Sequence, residues 1–290
     1  MVSRSFGTGT VFINGGDVRN QGFEAGLHWN DNINKDFNYG VNLGLAYNKN
    51  EVVDIANDEK IIHGSQNIPW WGAEEIYRAE VGKPFGYFYG YETNGIFQNQ
   101  KQIDEYSGPL LLGKDTQPGD VIWKDSNGDG KLDEKDRTMI GNPHPDFTIG
   151  LNFNIAWKGF DLSVNTYTAL GHQIFKSYRD YVASPNNNFT TDIFKRWHGE
   201  GTSNTLPRLT NGTHTNWSRI SDIYIEDADY MKIKNITVGY DFKRLFKSIP
   251  MQQLRIYLTA QNLFTITGYS GMDPEIGYSA GESWASGVDL

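Results

Sequence analysis

The strongest constraint on how this chain can fold is a two-residue rhythm. Between Phe147 and Trp157, the residues Ile149, Leu151, Phe153, Ile155 and Trp157 alternate with Gly150, Asn152, Asn154 and Ala156. Side chains of a β-strand project to its two faces in turn, so this stretch is a strand with one apolar face and one small or polar face. The same rhythm runs through Phe23, Ala25, Leu27 and Trp29, then through Phe37, Tyr39, Val41, Leu43, Leu45 and Tyr47. It returns at Phe160, Leu162 and Val164, and at Leu254, Ile256, Leu258 and Ala260. A further strand is predicted from Ile223 to Phe242, where the apolar phase shifts between Ile233 and Ile236 and implies a bulge. The expectation is an all-β chain of about six long strands.

Periodicity alone does not say which solvent the apolar face meets. A water-soluble sandwich turns it inward. No run of about 18 apolar residues occurs, which excludes a transmembrane helix. The strands of a transmembrane barrel alternate over about 10 residues and need no such run. Aromatic residues at 14 % and 32 glycines suit interfacial girdles and small lumen-facing positions. With no cysteine, disulfides and thiolate metal sites are excluded. A net charge of -9, without clustered Lys and Arg, argues against a nucleic-acid partner. The opening Met1 to Gly7 has neither the basic start nor the apolar core of a signal peptide. The chain is therefore either cytosolic or a fragment of an exported protein.

Connection lengths discriminate further. A glycine-rich opening, Gly7 to Asn20, carries turn signals at Asn14-Gly15-Gly16, and the tail from Thr267 to Leu290 is irregular. Turns within hairpins are short, at 31–36, 158–159 and 243–251, whereas the connections 56–146 and 171–221 are long. The second includes a predicted helical turn at Thr191 to Trp197. Antiparallel order puts every short turn at one end, which is the layout of outer-membrane barrels with long extracellular loops.

The first long connection contains the densest candidate chemistry. Asp125, Asn127, Asp129, Gly130, Lys131, Asp133 and Asp136 follow the D-x-N-x-D-G spacing of a calcium loop, with carboxylates at its ninth and twelfth positions. Asp136 stands where a calcium sensor has Glu, and no amphipathic helix precedes Asp125, so the expected role of calcium is structural. The alternative is a run of Asx turns that needs no metal. Trp70, Trp71, Tyr87 and Tyr89 are candidate sugar-stacking residues, and Trp197 and Trp217 are considered with them, against simple loop packing. Catalysis is not expected. Glu226, Asp227 and Asp229 are neighbours in sequence without an inferable glycosidase geometry, and the six histidines show no ligand spacing.

Four segments resemble a known family: 84–100 (PFGYFYGYETNGIFQNQ), 119–153, 225–242 (IEDADYMKIKNITVGYDF) and 254–275. From about Val18 to Glu275 the chain resembles the C-terminal barrel region of SusC/RagA-type TonB-dependent outer-membrane transporters of Bacteroidetes. That resemblance implies an antiparallel transmembrane β-barrel wall of about six long strands, with extracellular loops at 56–146 and 171–221. It implies a parent protein with a barrel of about 22 strands around a plug, set in outer-membrane lipid. The parent would import glycans or peptides with a SusD-like surface lipoprotein and a TonB complex. Plug and last strand are expected to be missing, so that residues 1–290 are the C-terminal part of such a receptor.

The competing expectation is a secreted, soluble β-sandwich that binds carbohydrate and carries the structural calcium site. A sandwich would bury Leu151, Phe153 and Ile155 against a second sheet, whereas a barrel wall leaves them bare. A third, a sugar-cleaving enzyme, requires two carboxylates converging in a cleft.

Overall fold

The computed structural model describes residues 15–179, 188–210, 214–276 and 286–289. The first hairpin is β1 (Gly16–Asn34) and β2 (Phe37–Ile55). The first long connection then carries β3 (Ile61–His63), β4 (Tyr77–Glu80), β5 (Tyr87–Tyr91), β6 (Thr93–Ile96), helix α1 (Gln100–Asp104), β7 (Val121–Trp123) and β8 (Arg137–Gly141). The second hairpin is β9 (Phe147–Trp157) and β10 (Phe160–Leu170). After it come β11 (Gln173–Lys176), helix α2 (Thr215–Ser218) and β12 (Ile225–Asp227). The third hairpin is β13 (Tyr230–Asp241) and β14 (Arg255–Thr267), and β15 (Val288–Asp289) follows.

The three hairpins join edge to edge in the order β1-β2-β9-β10-β13-β14, every pair antiparallel. The turn at Lys158 and Gly159 has φ of 49° and 95°, the two positive values of a primed hairpin turn that matches strand twist. The first turn is shorter than the predicted 31–36, because pairing continues through Asn32–Asn38 and Asn34–Phe37. A backbone ladder needs no apolar side chains, so the strand outlasts its rhythm. The register shift between Ile233 and Asn235 is the bulge that the phase change implied. The strand predicted from Ile223 is divided. Residues Asp222–Tyr224 form a 3₁₀ turn and β12 pairs with β11 outside the six-stranded sheet, so the long strand starts only at Tyr230. Of the predicted irregular ends, 1–14, 277–285 and 290 lie outside the described residues.

Register sorts the sheet into two faces. One row runs Trp29, Val41, Phe153, Val164, Ile236, and the next Tyr39, Ile155, Leu162, Val238, Leu258. The opposite face carries His28, Asn42, Asn152, Asn165 and Asn235 in one row. There His28 bonds to Asn42, the Asn42 amide donates to Asn152 (3.2 Å), and Asn152 donates to Asn165. Aromatics bound the apolar face at both ends. Phe37, Trp157, Phe160 and Tyr240 align near the hairpin turns, and Phe23, Tyr47 and Phe147 align near the long connections. Ten strand steps separate Phe147 from Trp157, about 34 Å at ~3.4 Å per residue. At a barrel tilt of about 40° this projects to roughly 26 Å, close to the ~25 Å apolar band of an outer-membrane barrel.

No second sheet covers that face among the described residues. Leu151, Phe153 and Ile155 are partly exposed and belong to none of the buried clusters. The buried apolar residues of the six strands are Val52, Ile55, Ala169 and Tyr230, all at the end of the long connections. The hydrophobic core lies in a cap built from those connections. One cluster joins Ile76, Tyr77, Phe88, Phe175, Tyr224 and Val288, with the Phe175 and Tyr224 rings stacked at 5.1 Å. A second joins Tyr91, Val121, Trp123, Leu206 and Trp217. Both draw on the two connections at once, so the two connections fold as one body. Phe88 is fully buried. Phe88→Ala is expected to destabilise the cap by about 3–5 kcal/mol, measured by denaturant unfolding monitored at Trp217 or by protease sensitivity of the two connections.

Candidate functional site

The acidic loop closes on itself through its side chains. The Asp125 carboxylate accepts the amides of Gly128 (2.7 Å), Asp129 (3.2 Å) and Gly130 (2.8 Å). Gly130 sits at φ +81°, in the left-handed region that glycine adopts most readily. Asn127 Oδ1 accepts from Asp129 N (2.8 Å), Asp129 Oδ1 from Lys131 N (2.9 Å), and Asp133 Oδ1 from Lys135 N (2.9 Å). Asp136 is fully buried and accepts the amides of Ser126 (2.9 Å) and Asp133 (2.8 Å), which pulls the two ends of the loop together. These are Asx turns and a capping box on the 3₁₀ turn Glu134–Asp136. No three acidic or histidine side chains gather into a metal cage among the described residues.

Closing the loop fixes the residue that follows it. Arg137 opens β8 and enters the four-stranded sheet β3-β4-β5-β8. Within that sheet Tyr89 of β5 is flanked by two guanidinium groups. The Arg78 carbon lies 3.4 Å and the Arg137 carbon 4.4 Å from its ring centroid, both in cation–π range. Glu75, 9 % exposed, accepts from Arg78 and from His63 Nδ1 (3.0 Å). Arg137 donates to the carbonyl oxygen of Glu75 (2.6 Å) and pairs with Glu74 (3.1 Å). These groups line a cleft of about 640 Å³ with Gln66, Glu134 and Lys135. The hydrogen bond to Glu75 raises the imidazole pKa of His63 against the opposing effect of burial.

The aromatics divide by access, since a stacking platform needs a bare ring face. Trp70 packs on Tyr224 (5.2 Å) and Phe175 (6.2 Å) inside the cap. Tyr87 is 1 % exposed and donates to Glu80 (2.7 Å), and Tyr89 lies between its two arginines. Trp217 is buried and Trp197 packs against the same cluster. Each of these rings is packed against neighbouring side chains. Trp71 alone of the named aromatics is bare, at 93 %. It projects from a turn held by Gly72 N donating to Asn67 Oδ1 (2.6 Å), between Gln66 and Glu74 of the cleft. Arg78, Arg137, Glu75 and His63 escaped sequence reading, because three separate strands bring them together without a local motif.

Comparison with known proteins decides what this architecture is. No family model matches the chain. It is 29 % identical over 286 residues to the TonB-dependent receptor P3 of Formosa agariphila, covering 98 % of this chain and 28 % of the relative. It is 26 % identical to the TonB-dependent receptor SusC of Bacteroides thetaiotaomicron over 263 residues, 90 % of this chain and 24 % of that one. The chain is a relative of the SusC/RagA-type TonB-dependent receptors. Among solved structures, the RagAB peptide transporter superposes with a TM-score of 0.71 at 20 % identity, over 99 % of this chain and 29 % of that one. This SusC/RagA relative thus spans less than a third of the length of the proteins it matches. Its six-stranded sheet is transmembrane barrel wall, and its place is the outer membrane.

Two outcomes follow from the site. Asp136→Ala leaves the Ser126 and Asp133 amides without their charged acceptor, a loss of about 2–3 kcal/mol in cap stability on denaturant unfolding. His63 has a raised pKa in the folded state, so its contribution is complete below the unfolded imidazole value and is lost as pH rises through the folded value. An NMR titration should therefore show His63 holding its proton to higher pH than an exposed histidine, and Glu75→Gln should lower that midpoint.

Proposed function

We propose that this chain forms barrel wall and external cap of an outer-membrane nutrient transporter whose uptake is driven through a TonB complex. The observation that carries the reading is the uncovered apolar face, bounded by two aromatic rows at membrane spacing. The cap is the part of the chain available to solutes, and a SusD-like surface lipoprotein is the partner expected to cover it. Glycans are the first substrate class and peptides the second; the peptide reading is supported by the likeness to a peptide transporter. Calcium at Asp125–Asp136 belongs to this reading as a structural ion. Its support is the D-x-N-x-D-G pattern rather than the hydrogen bonding, because the carboxylates already serve backbone amides.

Charged substitutions on a lipid face destabilise according to depth. Phe153 lies mid-strand on the apolar face, and Asn152 beside it faces the other way. Phe153→Lys should lower barrel stability in a bilayer by about 2–4 kcal/mol, and Asn152→Lys by much less. Equal effects at the two positions would contradict the membrane reading. Added calcium at a hundredfold excess over its dissociation constant should stabilise the cap by about 2.7 kcal/mol in thermal unfolding. Magnesium should not reproduce it, because its tight octahedral preference suits the loop poorly.

A further inference from the structure

The cleft around Tyr89 has more guanidinium donors than acceptors. Each arginine offers five N–H groups in a fixed fork. Arg78 Nε and Arg137 Nε are buried without a hydrogen-bond partner. Glu75 is already shared between Arg78 and His63. The remaining acid on the pair, Glu74, is unlike the group it binds: its side chain is 49 % exposed, whereas that of Arg137 is 7 % exposed. A buried arginine whose counter-ion stands half in solvent is held ready for exchange, because the acid loses little by swinging away. The arginine itself is locked by the Glu75 carbonyl, by the Tyr89 ring and by the acidic loop that precedes it. Glu134 and Lys135 line the same cleft with one charge of each sign.

We propose that this cleft binds solutes through a carboxylate, which displaces Glu74 from Arg137 Nη1 and takes a charge-assisted hydrogen bond there. Charge-assisted pairs of this kind are shorter and stronger than neutral ones. The volume of about 640 Å³ admits a sugar acid or the C-terminal residues of a peptide. This deepens the transporter reading, on which it rests, by naming the chemistry of its cargo. Sugar acids and peptides share that chemistry and differ in the scaffold behind it.

The test uses the full-length protein in detergent, with a folded barrel first verified by heat-modifiable gel mobility. A failure there would sink the transporter reading and this inference with it. On the folded barrel, calorimetry compares trigalacturonate with its methyl ester, and trialanine with its C-terminal amide. At least one acid should bind tenfold or more tighter than its neutral partner. The pair that shows the gap identifies the cargo as glycan or peptide. Arg137→Gln should abolish the gap. Glu74→Gln, at a half-exposed position that the fold tolerates, should tighten acid binding several-fold and leave the neutral form unchanged. Acids and neutral forms binding alike in both pairs, or a gap that survives Arg137→Gln, would overturn the carboxylate assignment while leaving the transporter reading intact.

Discussion

The structure depends on one constraint, the in-register antiparallel ladder of six long strands. Backbone pairing leaves only the outer edges of β1 and β14 without a strand partner among the described residues. Such a ladder satisfies backbone polar groups internally, which is the condition for a sheet to stand in hydrocarbon. Because the side-chain period is two, the same ladder sends Val41, Phe153, Val164 and Ile236 to one side and Asn42, Asn152, Asn165 and Asn235 to the other. A slip of one residue in any strand would reverse that strand's faces. Register and solvent preference are therefore a single property here.

That arrangement moves the hydrophobic core out of the sheet. In a soluble sandwich the alternating residues would fill the interior, whereas here Phe88, Phe175, Tyr224 and Trp217 do so in the cap. The cap can be rigid because both long connections contribute to each large cluster, and β15 adds Val288 from a third place in the chain. Rigidity reaches the polar residues as well. Asp136 draws the acidic loop shut, and the next residue is Arg137, held against Tyr89. The folding of one acidic loop thereby sets the position of a buried charge.

Much of the wall was legible in the sequence, because alternation is local. The strands 147–157 and 160–170, their two-residue turn and the bulge beyond Ile233 all follow from neighbouring residues. The ends of β1 and β2 were not, since Asn32 and Asn38 pair through backbone alone. The short strands of the cap were invisible for another reason. Three- to five-residue strands such as β3 and β5 carry no period, and β5 is buried on both faces, so Tyr87 and Tyr89 looked like surface aromatics until tertiary contacts enclosed them. The cleft is the extreme case. His63, Arg78 and Arg137 come from three strands and become neighbours only through pairing.

The central claim is that the apolar face meets lipid, and quencher accessibility along one strand tests it most directly. Single nitroxide labels at successive positions from Ile149 to Ile155, in the protein reconstituted in bilayers, report oxygen and a water-soluble nickel complex separately. The account predicts high oxygen access at Ile149, Leu151, Phe153 and Ile155, with low values at Gly150, Asn152 and Asn154 between them. Low oxygen access at all seven positions, as in a face sealed against a second layer of protein, would contradict it.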